Sequence, residues 1–196
     1  MAAEEAVFLD YKKNTCNYKG YRHAAHALIY CKMAPSNEKM KHAVMMQLRF
    51  DGTLGFPGGF VDGGENLENG LNRELYEEIG LTQANHFTET DYFGSWYHEH
   101  IRLMDHFYVK KLTENDFVKL ENRTLECHDW GGETMGIIRV PLQKSSKNPN
   151  FYSLSQFFQH NFIGNAKHQL IQVLVEKNIL PAVDVQDASV NLINNV

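Results

Sequence analysis

The apolar positions change period several times along the chain, and each change marks a predicted element. Residues 24–30 and 43–50 (AVMMQLRF) are apolar runs of strand length, the second closed by an Asp51-Gly52 turn signal. Residues 53–61 (TLGFPGGFV) hold too much Gly and Pro for a helix and read as strand, tight loop, strand. Leu67, Leu71 and Leu75 then recur every four residues, which lines one helical face and predicts a helix over 67–79. Asn66 is its expected N-cap, Glu68 sits in the first turn, and Gly80 with Leu81 forms the C-cap. Strands are expected at 87–97 and 103–112, and a helix opened by Thr113 and Asp116 as far as Asn122. A further strand spans 136–140, stopped by Pro141, and a helix over 166–177 is capped by Asn165 with Leu170 and Leu174 turned inward. Residues 1–20 are polar and mixed and read as a mobile leader. Residues 181–196 show little periodicity and read as a frayed tail, which leaves 21–180 as a single domain. Interleaved strands and helices without a strict βαβ repeat predict an α/β or α+β sandwich with a mixed sheet.

Composition narrows the class. A chain of 196 residues, 43% hydrophobic and 22% charged, suits one ordinary globular domain. Its apolar runs fall far short of the roughly 20 residues that cross a bilayer. The first ten residues carry three acids and no base, unlike a signal peptide, so a soluble, intracellular protein without a membrane partner is expected. Cys16, Cys31 and Cys127 form no CxxC pair, which fits reduced thiols and argues against structural zinc. A net charge of −5 argues against broad nucleic-acid backbone binding, yet leaves room for one small phosphorylated group.

The chemistry lies on the helix at 67–79. Glu74 and Glu78 are one turn apart on one face, with Glu77 beside them. Like charges at that spacing cost about 0.2–0.5 kcal/mol per pair, and acids in a last turn oppose the macrodipole. Such a helix alone is as readily a solvated acidic face; as a site, three carboxylates suit a hard divalent cation, Mg²⁺ or Mn²⁺. Gly58-Gly59 lies upstream, where bare backbone can approach a phosphate or a metal. The whole pattern runs Gly59, five residues, Glu65, seven residues, then Arg73-Glu74-Leu75-Tyr76-Glu77-Glu78-Ile79-Gly80-Leu81. It reproduces the Nudix box at every fixed position, a chance event on the order of one in ten million at ordinary residue frequencies.

The chain therefore resembles the Nudix hydrolases, and that resemblance implies an α/β/α sandwich and metal-dependent cleavage of diphosphate linkages. It places Glu74 and Glu78 on the metal and makes Glu77 a further ligand or the water-activating base. Gly58 would supply a backbone carbonyl, Arg73 would orient the carboxylates, and Glu65 would support the loop and Arg73. Glu133 is a second candidate base. YRHAAHALIY, LRFDGTLGFPGGFVD, DHFYVKKL and NFIGNAKHQL extend the likeness to the subfamily that decaps U8 snoRNA and hydrolyses inosine diphosphates. It implies substrate contacts from His26, Arg49, Phe56 and Gln169, partners among nucleoside diphosphates and capped RNA 5′ ends, a homodimer, and nuclear or nucleolar residence. His26 read alone is equally a structural histidine, and Phe56 equally plain core. The chain departs from the subfamily at Gln172, where a glutamate is expected, and in a shorter loop before Arg73. Residues 134–175 carry no acid but several lysines and aromatics, which suits either an RNA-receiving rim or ordinary core and loop. Alternatives to this activity are a pyrophosphatase for another nucleotide such as ADP-ribose, and a cap-binding module without turnover.

Overall fold

Residues 7–9, 20–34, 41–142 and 153–190 are described by the computed structural model. In chain order they form β1 (Val7–Leu9), β2 (Arg22–Lys32), β3 (His42–Arg49), β4 (Leu54–Gly55), β5 (Gly58–Phe60), α1 (Leu67–Ile79), β6 (Tyr92–His98), β7 (Leu103–Leu112), α2 (Glu114–Arg123), β8 (Thr134–Arg139), α3 (Ser153–Phe157), α4 (Ala166–Glu176) and α5 (Ala182–Val190). The strands make one mixed sheet in the order β1-β6-β7-β2-β3-β4, with β5 on β2 and β8 on β3. β2 and β7 run parallel from Arg22 opposite Leu103 to Cys31 opposite Leu112.

Period-two alternation in β2 builds the two layers. Ala25, Ala27, Ile29 and Cys31 face one side and pack with Leu71, Leu75 and Ile79 of α1 and with Phe117 and Leu120 of α2. Leu28 faces the other side, with Trp96, Phe107, Phe157, Leu170, Val173 and Leu174. Helices on both faces of a mixed sheet make the expected α/β/α sandwich. Phe157 and Phe158 are core in this second layer, so this part of the acid-free segment serves packing. Arg139 in the same segment is paired with Glu121 through two hydrogen bonds, at 2.7 and 2.6 Å.

β2 divides its second edge between two partners. Tyr30–Lys32 pair with β3, whereas Ala24–His26 pair with β5. β3 diverges to pair with β4 and β8, and this split opens the sheet beside His26.

The α1 signals hold: Asn66 Oδ1 accepts from the Asn69 N–H at 2.8 Å, and Gly80 adopts φ 67°. Four expectations change. The strand expected at 87–97 begins only at Tyr92, because Thr88 and Asp91 close a reciprocal capping box around a 3₁₀ turn at Glu89–Asp91. Asn165 precedes α4 but its side chain makes no capping bond. The supposed tail holds α5, whose Val185 and Ala188, three residues apart, are buried against α3 and α4. Within the supposed leader, Val7–Leu9 pair with Tyr97–Ser95 of β6; the rest of 1–20, and 191–196, lie outside the described residues.

Candidate active site

A cavity of about 440 Å³ opens where the sheet splits, and its wall includes His26, Arg49, Phe56, Gly58, Gly59, Glu74, Glu133 and Gln169. Residues far apart in sequence and singled out there separately thus share one hollow. A second hollow, of about 590 Å³, lies outside the loop at 60–68 and takes only Glu65 from the box acids and Arg73.

The glycines explain how a helix on one face reaches a cavity on the other. β5 stands between α1 and the cavity, and a Cβ on Gly59 would lie 2.6 Å from the Glu74 carboxylate. The Gly58 N–H donates to Glu78 Oε2 at 2.7 Å, and a Cβ there would lie 2.2 Å from the Ala25 carbonyl oxygen at a φ of 131°. Gly58-Gly59 is therefore a window in the sheet through which Glu74 reaches the cavity, while Glu78 lies buried behind it on the Gly58 N–H.

Glu78 is 2% exposed, and burial pushes its carboxyl up to about 7, against the Gln47 and Gly58 donors and the charge of His26. Gln47 donates to Glu78 Oε1 at 3.0 Å and also to the Thr134 hydroxyl, while its own Oε1 has no partner. Burial likewise raises Glu74, opposed by Arg73 and reinforced by Glu77 and Glu133. Arg73 ties the box together: it bonds Glu74 at 2.7 Å, Glu65 at 3.2 Å and the Phe60 carbonyl at 3.1 Å, and reaches Glu77 at 3.4 Å. Glu77 lies on the outer side of this cluster, away from the cavity wall.

Elsewhere on the cavity wall, His26 Nδ1 bonds Asp105 Oδ1 at 2.8 Å, and Gln169 Nε2 donates to Asp105 Oδ2 at 2.7 Å. Burial would lower His26, but the charge and hydrogen bond of Asp105 outweigh it and hold the imidazole above its usual value. Asp105, for which burial works the other way, is held below the usual carboxylate range by His26 and Gln169. Arg49 reaches the cavity with its Nε unbonded, 3.6 Å from Asp51. Phe56 is 3% exposed and packs edge-on against Phe107, so it is the cavity floor rather than a free stacking face. Gln172 bonds Glu176 away from the cavity, so the subfamily departure there leaves the cavity wall untouched.

Sequence reasoning missed Asp105, His98, Ile101 and the α4 lead-in Ile163–Ala166, all of which line the cavity. Asp105 had a signal, an acid within the otherwise strand-like LMDHFYV.

Among the described residues, no group of three or more His, Cys, Asp or Glu side chains is arranged to hold a metal ion as it stands. The donor chemistry nonetheless fits a hard divalent ion. Asp62, Glu74 and Glu133 all border the cavity with oxygens to spare, whereas both oxygens of Asp105 are taken by His26 and Gln169. A diphosphate entering it needs a cation between its oxygens and these carboxylates. The cradle at Gly59, which any side chain would fill, leaves room beside Glu74 for such an ion.

Sandwich, box and cavity together define a Nudix-type hydrolase. The U8 snoRNA-decapping enzyme-like (Nudt16-like) family model matches residues 23–180, and the chain belongs to that family. It is 39% identical over 185 residues to the U8 snoRNA-decapping enzyme of Xenopus laevis, covering 90% of this chain and 85% of that one. It is 42% identical over 168 residues to the mouse enzyme of the same name, covering 82% and 84%. It is also 36% identical over 168 residues to the human Tudor-interacting repair regulator protein, covering 83% and 77%. A solved MutT/nudix family protein from Enterococcus faecalis shares the fold at a TM-score of 0.54 and 12% identity, over 91% of this chain and 71% of that one.

Proposed function

We propose that this hydrolase cleaves the diphosphate linkage of capped small RNA, releasing 7-methylguanosine diphosphate, and converts inosine and deoxyinosine diphosphates to monophosphate and phosphate. The observation that carries the reading is the meeting, in one cavity, of Gly58 and the box residues Gly59 and Glu74 with His26, Arg49 and Gln169 from three other elements. The decapping relatives support the RNA substrate.

Glu74 and Glu78, with the Gly58 carbonyl, would hold Mg²⁺ or Mn²⁺, and Glu77 would join them by swinging from Arg73. An ion held there would supply the polarisation of the diphosphate and the lowered pKa of the attacking water. Arg73 keeps the carboxylates parallel and charged, since the guanidinium touches Glu65, Glu74 and Glu77 at once. Glu133, exposed at the mouth, is placed to take a proton from water, and Arg49 to neutralise a phosphate oxygen. His26 and Gln169 would hold the nucleoside over the Phe56 floor. The same reading includes a homodimer in the nucleus or nucleolus, tested by light scattering and by imaging of a tagged chain.

The relatives named for Tudor interaction favour a second reading, a binding module without turnover. The intact Glu74, Glu77 and Glu78 weigh against it. Product analysis separates the readings: pure protein is incubated with inosine diphosphate, ADP-ribose or capped RNA, with Mg²⁺ or Mn²⁺ and then with chelator. Chelator-sensitive inosine monophosphate and 7-methylguanosine diphosphate are expected. ADP-ribose turnover alone would replace the substrate, and RNA binding without product would favour the module.

A further inference from the structure

The buried carboxylate of Asp105 has no place in the metal chemistry. It is 5% exposed on β7, and its two oxygens engage side chains from β2 and α4, elements 79 and 64 residues away in sequence. Burying a carboxylate costs more than an apolar side chain would, so packing alone does not account for it. Its partners, His26 and Gln169, both line the cavity that Glu74 borders.

A carboxylate only accepts hydrogen bonds, and both of its oxygens are used. His26 must therefore turn Nδ1–H toward Asp105, which leaves Nε2 for the cavity. Gln169 must turn its NH₂ toward Asp105, which leaves carbonyl Oε1 as its second polar atom. Either side chain, freed of this anchor, could present the opposite polarity by ring flip, tautomer change or amide rotation.

We propose that Asp105 is a positioning residue that sets the hydrogen-bonding polarity of the nucleoside wall, presenting Nε2 of His26 and Oε1 of Gln169 to the substrate. This rests on the proposed roles of His26 and Gln169, and the isosteric Asp105→Asn tests it because asparagine offers one acceptor and one donor. With Oδ1 on His26, its NH₂ faces Gln169, whose amide must rotate and turn NH₂ to the cavity; with the amide reversed, its NH₂ donates to His26 Nδ1 and favours the Nε2–H tautomer.

Two measurements on the full chain decide it. Long-range ¹H–¹⁵N NMR at pH 9 reports the His26 tautomer without any substrate: Nδ1–H is expected in the wild type, with Nε2–H gaining population in Asp105→Asn. A wild-type Nε2–H tautomer overturns the proposal, whether or not the variant folds. In kinetics, Asp105→Asn is expected to raise KM for inosine diphosphate about tenfold or more, with kcat within about threefold. The preference for inosine over adenosine diphosphate should fall by a similar factor. Asp105→Asn combined with Gln169→Glu exchanges the two head groups, returns an acceptor oxygen at 169, and should recover most of that preference. A kcat loss at unchanged KM, or no recovery in the exchange variant, overturns the proposal. A wild type inert toward inosine diphosphate removes the substrate reading, and the NMR result then decides Asp105 alone.

Discussion

Glu78 is held in a state that suits catalysis better than stability. Its carboxyl, pushed up to about 7 by burial, is a penalty of roughly 3–4 kcal/mol at pH 8 when no cation is bound. Glu78→Gln removes the charge and keeps the shape, and the unpartnered Gln47 Oε1 can rotate to accept from the new amide. Turnover should fall about a hundredfold or more. In chelator at pH 8, urea unfolding should show the variant at least as stable as wild type; a large loss of stability would overturn this account. The two glycines should separate in the same way. Gly59→Ala meets the movable end of Glu74, so activity should drop about a hundredfold with little change in Tm. Gly58→Ala meets the Ala25 backbone at a φ of 131°, and should cost about 3 kcal/mol or more, read as lost soluble protein.

The elements carry unequal burdens. α1 presents Leu71, Leu75 and Ile79 to the core while lifting Glu74 and Glu78 to the glycine window, so one helix is both wall and site. Leu75→Ala should cost about 2–5 kcal/mol in chemical unfolding, and loosen the box with it. α5 is the element that periodicity missed. Among its described side chains only Val185 and Ala188 are fully buried, too few for a 3.6-residue stripe to stand out. Ending the chain at Pro181 would uncover the core beneath both and should cost roughly 2–3 kcal/mol, seen as a lower Tm with the cavity unchanged.

Across the sheet, a polar chain runs from Tyr92 through Ser95 and His106 to His23, with contacts of 2.7, 2.7 and 2.9 Å. Burial, and then the neighbouring His23, lower His106 to about 4, with Asp105 opposing. A histidine depressed in the folded state binds its proton first in the unfolded chain. Its contribution is therefore complete above about pH 6.5 and is lost as pH falls toward 4, roughly 2–3 kcal/mol in all. Unfolding curves from pH 7 to 4 should show a smaller acid loss in His106→Asn than in wild type.

Periodicity and spacing were enough for α1, its caps, most strands and the box, because each depends on neighbours within one or two turns. The box residues act through a local helix and the loop before it, so their spacing alone identifies the chemistry. The pairing of β2 with both β3 and β5 is different, since it joins segments with no shared local signal. That split creates the cavity and brings His26, Arg49 and Phe56 around it together with Glu74. Asp105 and Gln169, 64 residues apart, meet only once β7 and α4 are packed. Long-range contacts of this kind follow from burial and backbone pairing, which a pattern read along one chain does not contain.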